Sequence, residues 1–181
     1  MLHTHSHPAQ HRRWALPDVV GLGGAVAGLG AALVMVLLSP LLSLLSGVSI
    51  WTPPKLIAAT VYGPRVLATA GFALGPVLTG LLLHIGTSIL LGVGFGVIYH
   101  RLLHLTTAFG MALLLGLCYG IGIFMVAYFV VVPRVDPALA EAVLAPFLAQ
   151  NLVFGLCLGS LYGWLRPQPY HEQPALWRRQ R

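Results

Sequence analysis

The stretch NLVFGLCLGSLYGWL, residues 151–165, decides how this chain folds. It contains no charged residue, and its glycines Gly155, Gly159 and Gly163 stand four positions apart, which places them on one face of a helix. Glycines at this spacing let two membrane helices approach closely, because no side chain separates their backbones. The stretch therefore predicts a transmembrane helix that packs against another helix.

Three more segments share this composition, so the sequence predicts four transmembrane helices, over residues 19–45, 74–99, 107–132 and 143–165. All ten Lys and Arg residues and all four Asp and Glu residues lie outside them. Each segment can cross a hydrocarbon core of about 30 Å as a helix. Each is apolar on every face, unlike the alternating strands of about 10 residues in a membrane barrel. We therefore expect an all-α polytopic membrane protein.

The other three segments carry glycine pairs with the same spacing. These pairs are Gly24 and Gly28, Gly92 and Gly96, and Gly116 and Gly120. Such small-xxx-small faces predict close packing between the helices. One interpretation is a compact four-helix bundle in which every glycine face is used internally. The other leaves one flat face for a homo-oligomer or a larger membrane complex.

Two sets of positions recur along the chain, each at a constant offset. Ser88, Gly92, Gly96 and Tyr99 match Asn151, Gly155, Gly159 and Tyr162 at one offset. Gly24, Gly28 and Gly30 match Gly116, Gly120 and Gly122 at a second, longer offset. A duplicated two-helix hairpin in parallel orientation would produce both offsets, and so would chance in a membrane protein rich in glycine.

The basic residues are distributed unevenly between the two sides that the four helices define. Seven lie on the side of the chain ends, namely Arg12, Arg13, Arg101, Arg166, Arg178, Arg179 and Arg181, and three on the other, namely Lys55, Arg65 and Arg134. By the positive-inside rule, this asymmetry predicts a multi-pass membrane protein with both termini in the cytoplasm. It also accounts for the net charge of +6, so we expect a lipid bilayer and no nucleic acid as partner.

The segments outside the helices divide the chain further. Residues 1–16 are polar and rich in histidine and predict a disordered cytoplasmic tail, residues 17–166 form the transmembrane domain, and residues 167–181 form a basic cytoplasmic tail. The outer loop, residues 46–73, predicts a short interfacial helix after two consecutive prolines. Pro40 is expected to kink or end the first helix.

A few polar side chains fall at membrane depth, where they are costly. Counting along the helices at about 1.5 Å per residue places them in the outer half of the bilayer. They are His84, Ser88, Gln150, Asn151, Ser39 and Tyr128. These residues predict a small polar pocket that binds a ligand and opens outward. The alternative is that they stabilise the bundle through interhelical hydrogen bonds of about 0.6 kcal/mol each.

The same residues can be compared with three kinds of chemistry. His84 is the one histidine in mid-span, with His100 and His104 at the inner boundary, so a single-His haem or pigment site remains an alternative to the expected absence of a cofactor. Coupled transport usually requires a buried carboxylate, and none lies in a span. His84 and Ser88 form at most an unoriented pair, so we expect neither a catalytic residue nor a metal site.

These observations predict a membrane protein without enzymatic activity, acting as a structural or accessory subunit or as a small binding module. An oligomeric small-solute transporter or channel is the first alternative. A haem- or pigment-binding subunit of an electron-transfer complex, using His84, is the second.

The chain resembles the uncharacterised, YagU-like small four-helix proteins of the bacterial inner membrane. The residues that carry this resemblance are Thr52-Pro53-Pro54, His84, the run from Gly92 to Tyr99, and Ala149-Gln150-Asn151. The resemblance implies the four-helix layout, a location in the bacterial inner membrane and no known catalytic role. The chain departs from that pattern in its histidine-rich tail and in the lack of a histidine on its fourth helix.

Overall fold

The computed structural model describes residues 20–103, 109–135 and 139–165, and within these ranges it contains helices and no strand. The helices are α1 (Val20–Leu45), α2 (Thr52–Tyr62), α3 (Leu74–Val97), α4 (Phe109–Val126), α5 (Val132–Val135) and α6 (Leu139–Leu165). A 3₁₀ turn, Pro64–Ala68, follows α2, and π-helical turns extend α3 and α4 over Ile98–Leu102 and Ala127–Val131. Both predicted tails and the connection at 104–108 lie outside the described residues.

Four helices are long and apolar enough to cross a membrane, which confirms the predicted fold class. These spans are Gly21–Leu45, Leu74–Leu102, Gly110–Arg134 and Leu144–Leu165. The chain is a multi-pass helical membrane protein. We call the end of the bundle that carries α2 the loop end, and the end that carries Ile98–Leu102 the terminal end.

Two helices continue past the points at which the sequence predicts a change. Pro40 lies inside α1, which runs on to Leu45. Helix α3 continues as a π-helical turn through His100, where the sequence predicts a loop. Both have the same physical reason: inside lipid an unpaired backbone group is costly, so a helix with one missing or displaced hydrogen bond is better than a broken helix. Helix α6 likewise begins at Leu139, before its predicted start.

The loop between α1 and α3 is structured and packs against the bundle. Prolines at the first positions of α2 suit the start of a helix, and Gly63, with φ of 79°, ends it. Helix α2 packs directly on α3 at Gly80. The contact is so close that a Cβ added at Gly80 would overlap the backbone carbonyl of Pro54. The position of α2 is therefore set by contact between two backbones.

Lys55 fixes the remainder of this loop. Its side chain is only 4% exposed, and its ammonium donates to the carbonyl oxygens of Thr69 at 2.7 Å and Gly71 at 2.6 Å, and to the Thr69 hydroxyl at 3.3 Å. These three acceptors match the three protons of a lysine ammonium. Lys55 thus joins α2 to the chain that leads into α3.

Helices α1 and α3 form an antiparallel hairpin along a seam of small residues. A Cβ at Gly24 would overlap the carbonyl of Gly92, and a Cβ at Gly28 would overlap the carbonyl of Ser88. The two backbones are therefore in contact over at least one helical turn, which is the packing that the glycine spacing predicts.

Helices α4 and α6 form a second hairpin with the same seam. A Cβ at Gly116 would overlap the carbonyl of Gly155, and one at Gly120 would overlap the carbonyl of Asn151. Each contact repeats one of the first hairpin, with its residues related by the two offsets seen in the sequence. Equivalent residues thus make equivalent contacts, which favours a duplicated hairpin over chance.

The two hairpins meet along α1 and α6, and their shared core is apolar. Ala27, Ala31 and Leu158 are fully buried there, and a Cβ at Gly30 would lie 2.7 Å from a methyl group of Leu161. Toward the terminal end, the core becomes aromatic, with contacts among the rings of Phe95, Tyr99, Tyr119, Tyr162 and His100.

Candidate functional site

The six residues of the predicted polar pocket are divided between the two hairpins. Ser39 lies on α1, and His84 and Ser88 lie on α3. Tyr128 lies on the π-helical turn after α4, and Gln150 and Asn151 lie on α6. All six belong to the half of the bundle nearer the loop end or to its middle.

Several of the polar side chains at this depth bond to the backbone of their own helix. The Asn151 amide donates to the carbonyl of Phe147 at 2.8 Å, and the Ser43 hydroxyl donates to the carbonyl of Ser39 at 2.9 Å. The Thr87 hydroxyl donates to the carbonyl of Leu83 at 2.7 Å. Such bonds satisfy a polar group inside lipid without a partner from another helix.

Ser88 and Tyr128 are placed by packing. Ser88 is buried in the seam of the first hairpin, where its carbonyl lies against Gly28. The Tyr128 ring stacks on Phe124, with centroids 5.3 Å apart and planes inclined by 20°. Gln150 is half-buried beside Asn151.

His84 differs from the other five residues. Its side chain is half-buried, and the backbone of Ala32 on α1 lies within hydrogen-bonding reach of the imidazole. Its Nε2 atom is buried and makes no hydrogen bond in the structure. A buried polar atom without a partner costs about 1 to 3 kcal/mol, so this arrangement of the imidazole is unfavourable by about that amount.

His84 and Asn151 use their polar atoms separately in the described ranges. The Asn151 amide nitrogen donates to the carbonyl of Phe147 on its own helix, and Nε2 of His84 makes no hydrogen bond. The same ranges contain no group of three or more His, Cys, Asp or Glu residues that could hold a metal ion. Nε2 of His84 is covered by protein atoms, so a haem iron or pigment could bind it only after neighbouring side chains move.

Sequence reasoning missed the contact that joins α3 to α4. The Tyr119 hydroxyl donates to the carbonyl of Leu91 on α3 at 2.9 Å, and its ring packs on Phe95 with centroids 5.4 Å apart. A tyrosine in an apolar segment resembles any other core aromatic residue, so no sequence pattern predicts this hydrogen bond.

It also missed the aromatic cluster at the terminal end, although a signal for it was present. Tyr99 and Tyr162 occupy equivalent positions of the repeat, are each 1% exposed, and pack with ring centroids 5.4 Å apart. Two aromatic residues at equivalent positions near the same end of two packed hairpins are candidates for a contact between the hairpins.

No protein family, characterised protein or solved structure matches the chain.

Proposed function

We propose that this chain is an accessory subunit of a larger assembly in the bacterial inner membrane, without enzymatic activity and with both termini in the cytoplasm. The observation that carries the proposal is the use of its polar groups. Asn151, Ser43 and Thr87 donate to carbonyls of their own helices and so contribute to helix stability. A catalytic or transport site would instead need such groups to converge on one point.

The outer surface of the bundle also supports this role. Apolar side chains project from every long helix, including Leu37 on α1, Leu90 on α3, Met125 on α4 and Trp164 on α6. The glycine seams stabilise each hairpin internally, so these outward faces are available to lipid and to the helices of other subunits.

The test is the native size of the protein in its own membrane. Mild detergent extraction followed by native electrophoresis and mass spectrometry should find the chain in a complex with larger membrane proteins at fixed stoichiometry. Serine substitutions of Leu37, Leu90 and Met125, one at a time, should identify the face whose change releases the chain. A chain that migrates as a monomer or homo-oligomer would contradict the proposal.

A flux assay separates this role from the transporter alternative. Vesicles reconstituted with the purified chain should leak ions and small solutes no faster than empty vesicles. Flux that disappears in Asn151→Ala, at unchanged thermal stability, would favour a channel or transporter. A fluorescent protein fused after Arg181 should fluoresce, because it folds in the cytoplasm and the C-terminus is proposed to lie there.

A further inference from the structure

We propose that the terminal end of the bundle selectively binds phospholipids with anionic headgroups, and that the loop end has no such preference. The binding groups are arginines at the end of α3 and in the segments that precede α1 and follow α6. We call them the terminal arginines, and they are Arg12, Arg13, Arg101, Arg166, Arg178, Arg179 and Arg181.

Arg101 lies at the depth at which a helix leaves the bilayer. The buried Tyr99 and Tyr162 pack with ring centroids 5.4 Å apart, which places these two positions at the same level of the bundle. Arg101 and Trp164 each follow one of these tyrosines by two residues, so they share a level as well. Trp164 is 75% exposed, and an exposed tryptophan at a helix end is typical of headgroup depth. The guanidinium of Arg101 is therefore within reach of lipid phosphates.

The charge and the donors of Arg101 are available to a ligand. The residue is exposed, and it takes part in no hydrogen bond or ion pair with any residue that the structure describes. A guanidinium has five N–H donors in a planar fork, and this geometry matches the oxygens of a phosphate. Arg101 thus has the chemistry that binds the phosphate of a lipid headgroup.

The loop end differs, because two of its cationic groups are bonded to the protein. The buried Lys55 ammonium donates to two backbone carbonyls and a hydroxyl of its own loop. The Arg134 guanidinium donates to the carbonyl of Val130, one helical turn before it. Of the cations on this side, Arg65 is exposed and makes no bond of this kind among the described residues.

The balance of charge also distinguishes the two ends. The seven terminal arginines share their side with two carboxylates, Asp18 and Glu172, which leaves five positive charges in excess. The loop side has three basic residues and two carboxylates, Asp136 and Glu141, which leaves one. A basic residue close to the bilayer surface raises the affinity for anionic lipid by about fivefold. A preference for anionic lipid is therefore expected at the terminal end.

Lipid headgroups are the anions closest to these arginines. Arg101 belongs to a helical turn, and Arg166 directly follows Leu165, the last residue of α6. Both are thus held at the surface of the bilayer, where headgroups are abundant. Exposed charges attract one another over about 8 Å at physiological salt. A lipid phosphate lies within this distance, whereas a nucleic acid or an acidic protein must first be recruited from solution.

The experiment measures lipid preference separately at each end, by quenching of tryptophan fluorescence with brominated lipids. The full chain has four tryptophans, so one version keeps Trp164 and a second keeps Trp51 at the loop end, with Phe at the other three positions. Each is reconstituted in phosphatidylcholine vesicles that contain brominated phosphatidylglycerol or brominated phosphatidylcholine. At low ionic strength, phosphatidylglycerol should be preferred by at least about fivefold at Trp164 and equally with phosphatidylcholine at Trp51. In 1 M salt, which screens charges beyond about 3 Å, the preference at Trp164 should disappear.

Two variants of the version that keeps Trp164 locate the binding group. Arg101→Gln should lower the preference for phosphatidylglycerol by about fivefold, because it removes the guanidinium at headgroup depth. Arg65→Gln is the matched control, since Arg65 is also an exposed arginine but lies at the loop end, and it should leave the preference unchanged.

Equal preference at Trp164 and Trp51 would overturn the proposal, and so would a preference that persists in 1 M salt or in Arg101→Gln. A nucleic acid or acidic protein that co-purifies with the wild type and not with Arg101→Gln, without any lipid preference, would assign the arginines to that partner instead. Thermal unfolding of each protein identifies any that has lost its fold. The salt dependence at Trp164 and Trp51 keeps the test valid if Arg101→Gln is among them.

Discussion

The two hairpins of this bundle share one seam and differ in how they meet the rest of the molecule. In both, glycines bring two antiparallel backbones into contact at equivalent positions. The residue that faces the neighbouring hairpin is Ala27 on α1 and its equivalent, Tyr119, on α4. Ala27 lets α1 approach α6 closely, whereas Tyr119 keeps α4 away from α3. A repeat can therefore keep its internal contacts and still become asymmetric through one exchange of side chain.

The largest effect should come from filling either seam. Gly92→Leu and Gly155→Leu place a side chain where the opposite backbone lies, so each should lower the free energy of unfolding by about 3 kcal/mol or more. Thermal unfolding in detergent, followed by circular dichroism, measures both. Gly86→Leu, in open surroundings, is the control and should change little. A large loss for one seam with a small loss for the other would mean that the hairpins are not equivalent.

The second largest loss of stability should come from the loop that joins the two helices of the first hairpin. In the described ranges, the second hairpin has no structured loop of this kind. Lys55→Met leaves the carbonyls of Thr69 and Gly71 without their donor and should cost about 2 to 3 kcal/mol. Faster proteolysis of residues 63–73 should accompany it. Arg65→Met, at an exposed position of the same loop, should have almost no effect. Equal stability of the two variants would show that the Lys55 bonds contribute nothing.

Removing the hydrogen bond between α3 and α4 should lower the free energy of unfolding by less than removing the Lys55 bonds. Tyr119→Phe keeps the ring that separates the helices and removes the hydroxyl that donates to Leu91, so we expect a loss of about 1 kcal/mol. Hydrogen exchange of the α3 amides near Leu91 should rise in parallel. An unchanged melting temperature together with unchanged exchange would count against this bond.

The smallest effect should come from equivalent polar positions. Asn151→Ala removes one hydrogen bond to its own helix and should cost about 0.6 kcal/mol, and Ser88→Ala should cost no more. Chemical denaturation of both variants provides the comparison. A loss for Asn151→Ala several times larger than that for Ser88→Ala would indicate that Asn151 bridges helices instead.

The sequence was sufficient for the fold class and for the kind of helix contact. Lengths of apolar segments predict the spans, because any helix that crosses lipid needs about 20 such residues. Glycine spacing predicts close packing, but Gly24 or Gly116 could each have met any other glycine face. The partners become predictable only with the two offsets, because a duplicated hairpin must pair its own helices first.

The site was predicted less completely, for reasons of chemistry. Their predicted depth in the membrane was sufficient to single out His84 and Asn151. It does not predict that Asn151 bonds to its own helix, or that His84 has an unbonded nitrogen. From the sequence, Lys55 could be used only as a positive charge that helps to assign the orientation of the helices. Its hydrogen bonds could not be predicted, because the acceptors are backbone carbonyls, which every residue carries. A hydrogen bond from a side chain to a backbone carbonyl does not depend on the residue type of the acceptor, so the sequence does not reveal its partner.

The seams without side chains have a mechanical consequence. Sliding α1 against α3, or α4 against α6, would drive carbonyl oxygens into glycine backbones, so each hairpin can move only as a rigid body. The contacts between the hairpins are made by side chains instead, with Ala27 and Leu158 where α1 meets α6 and Tyr119 where α4 meets α3. Movement of one hairpin relative to the other would therefore require rearrangement of side chains and no change in either seam.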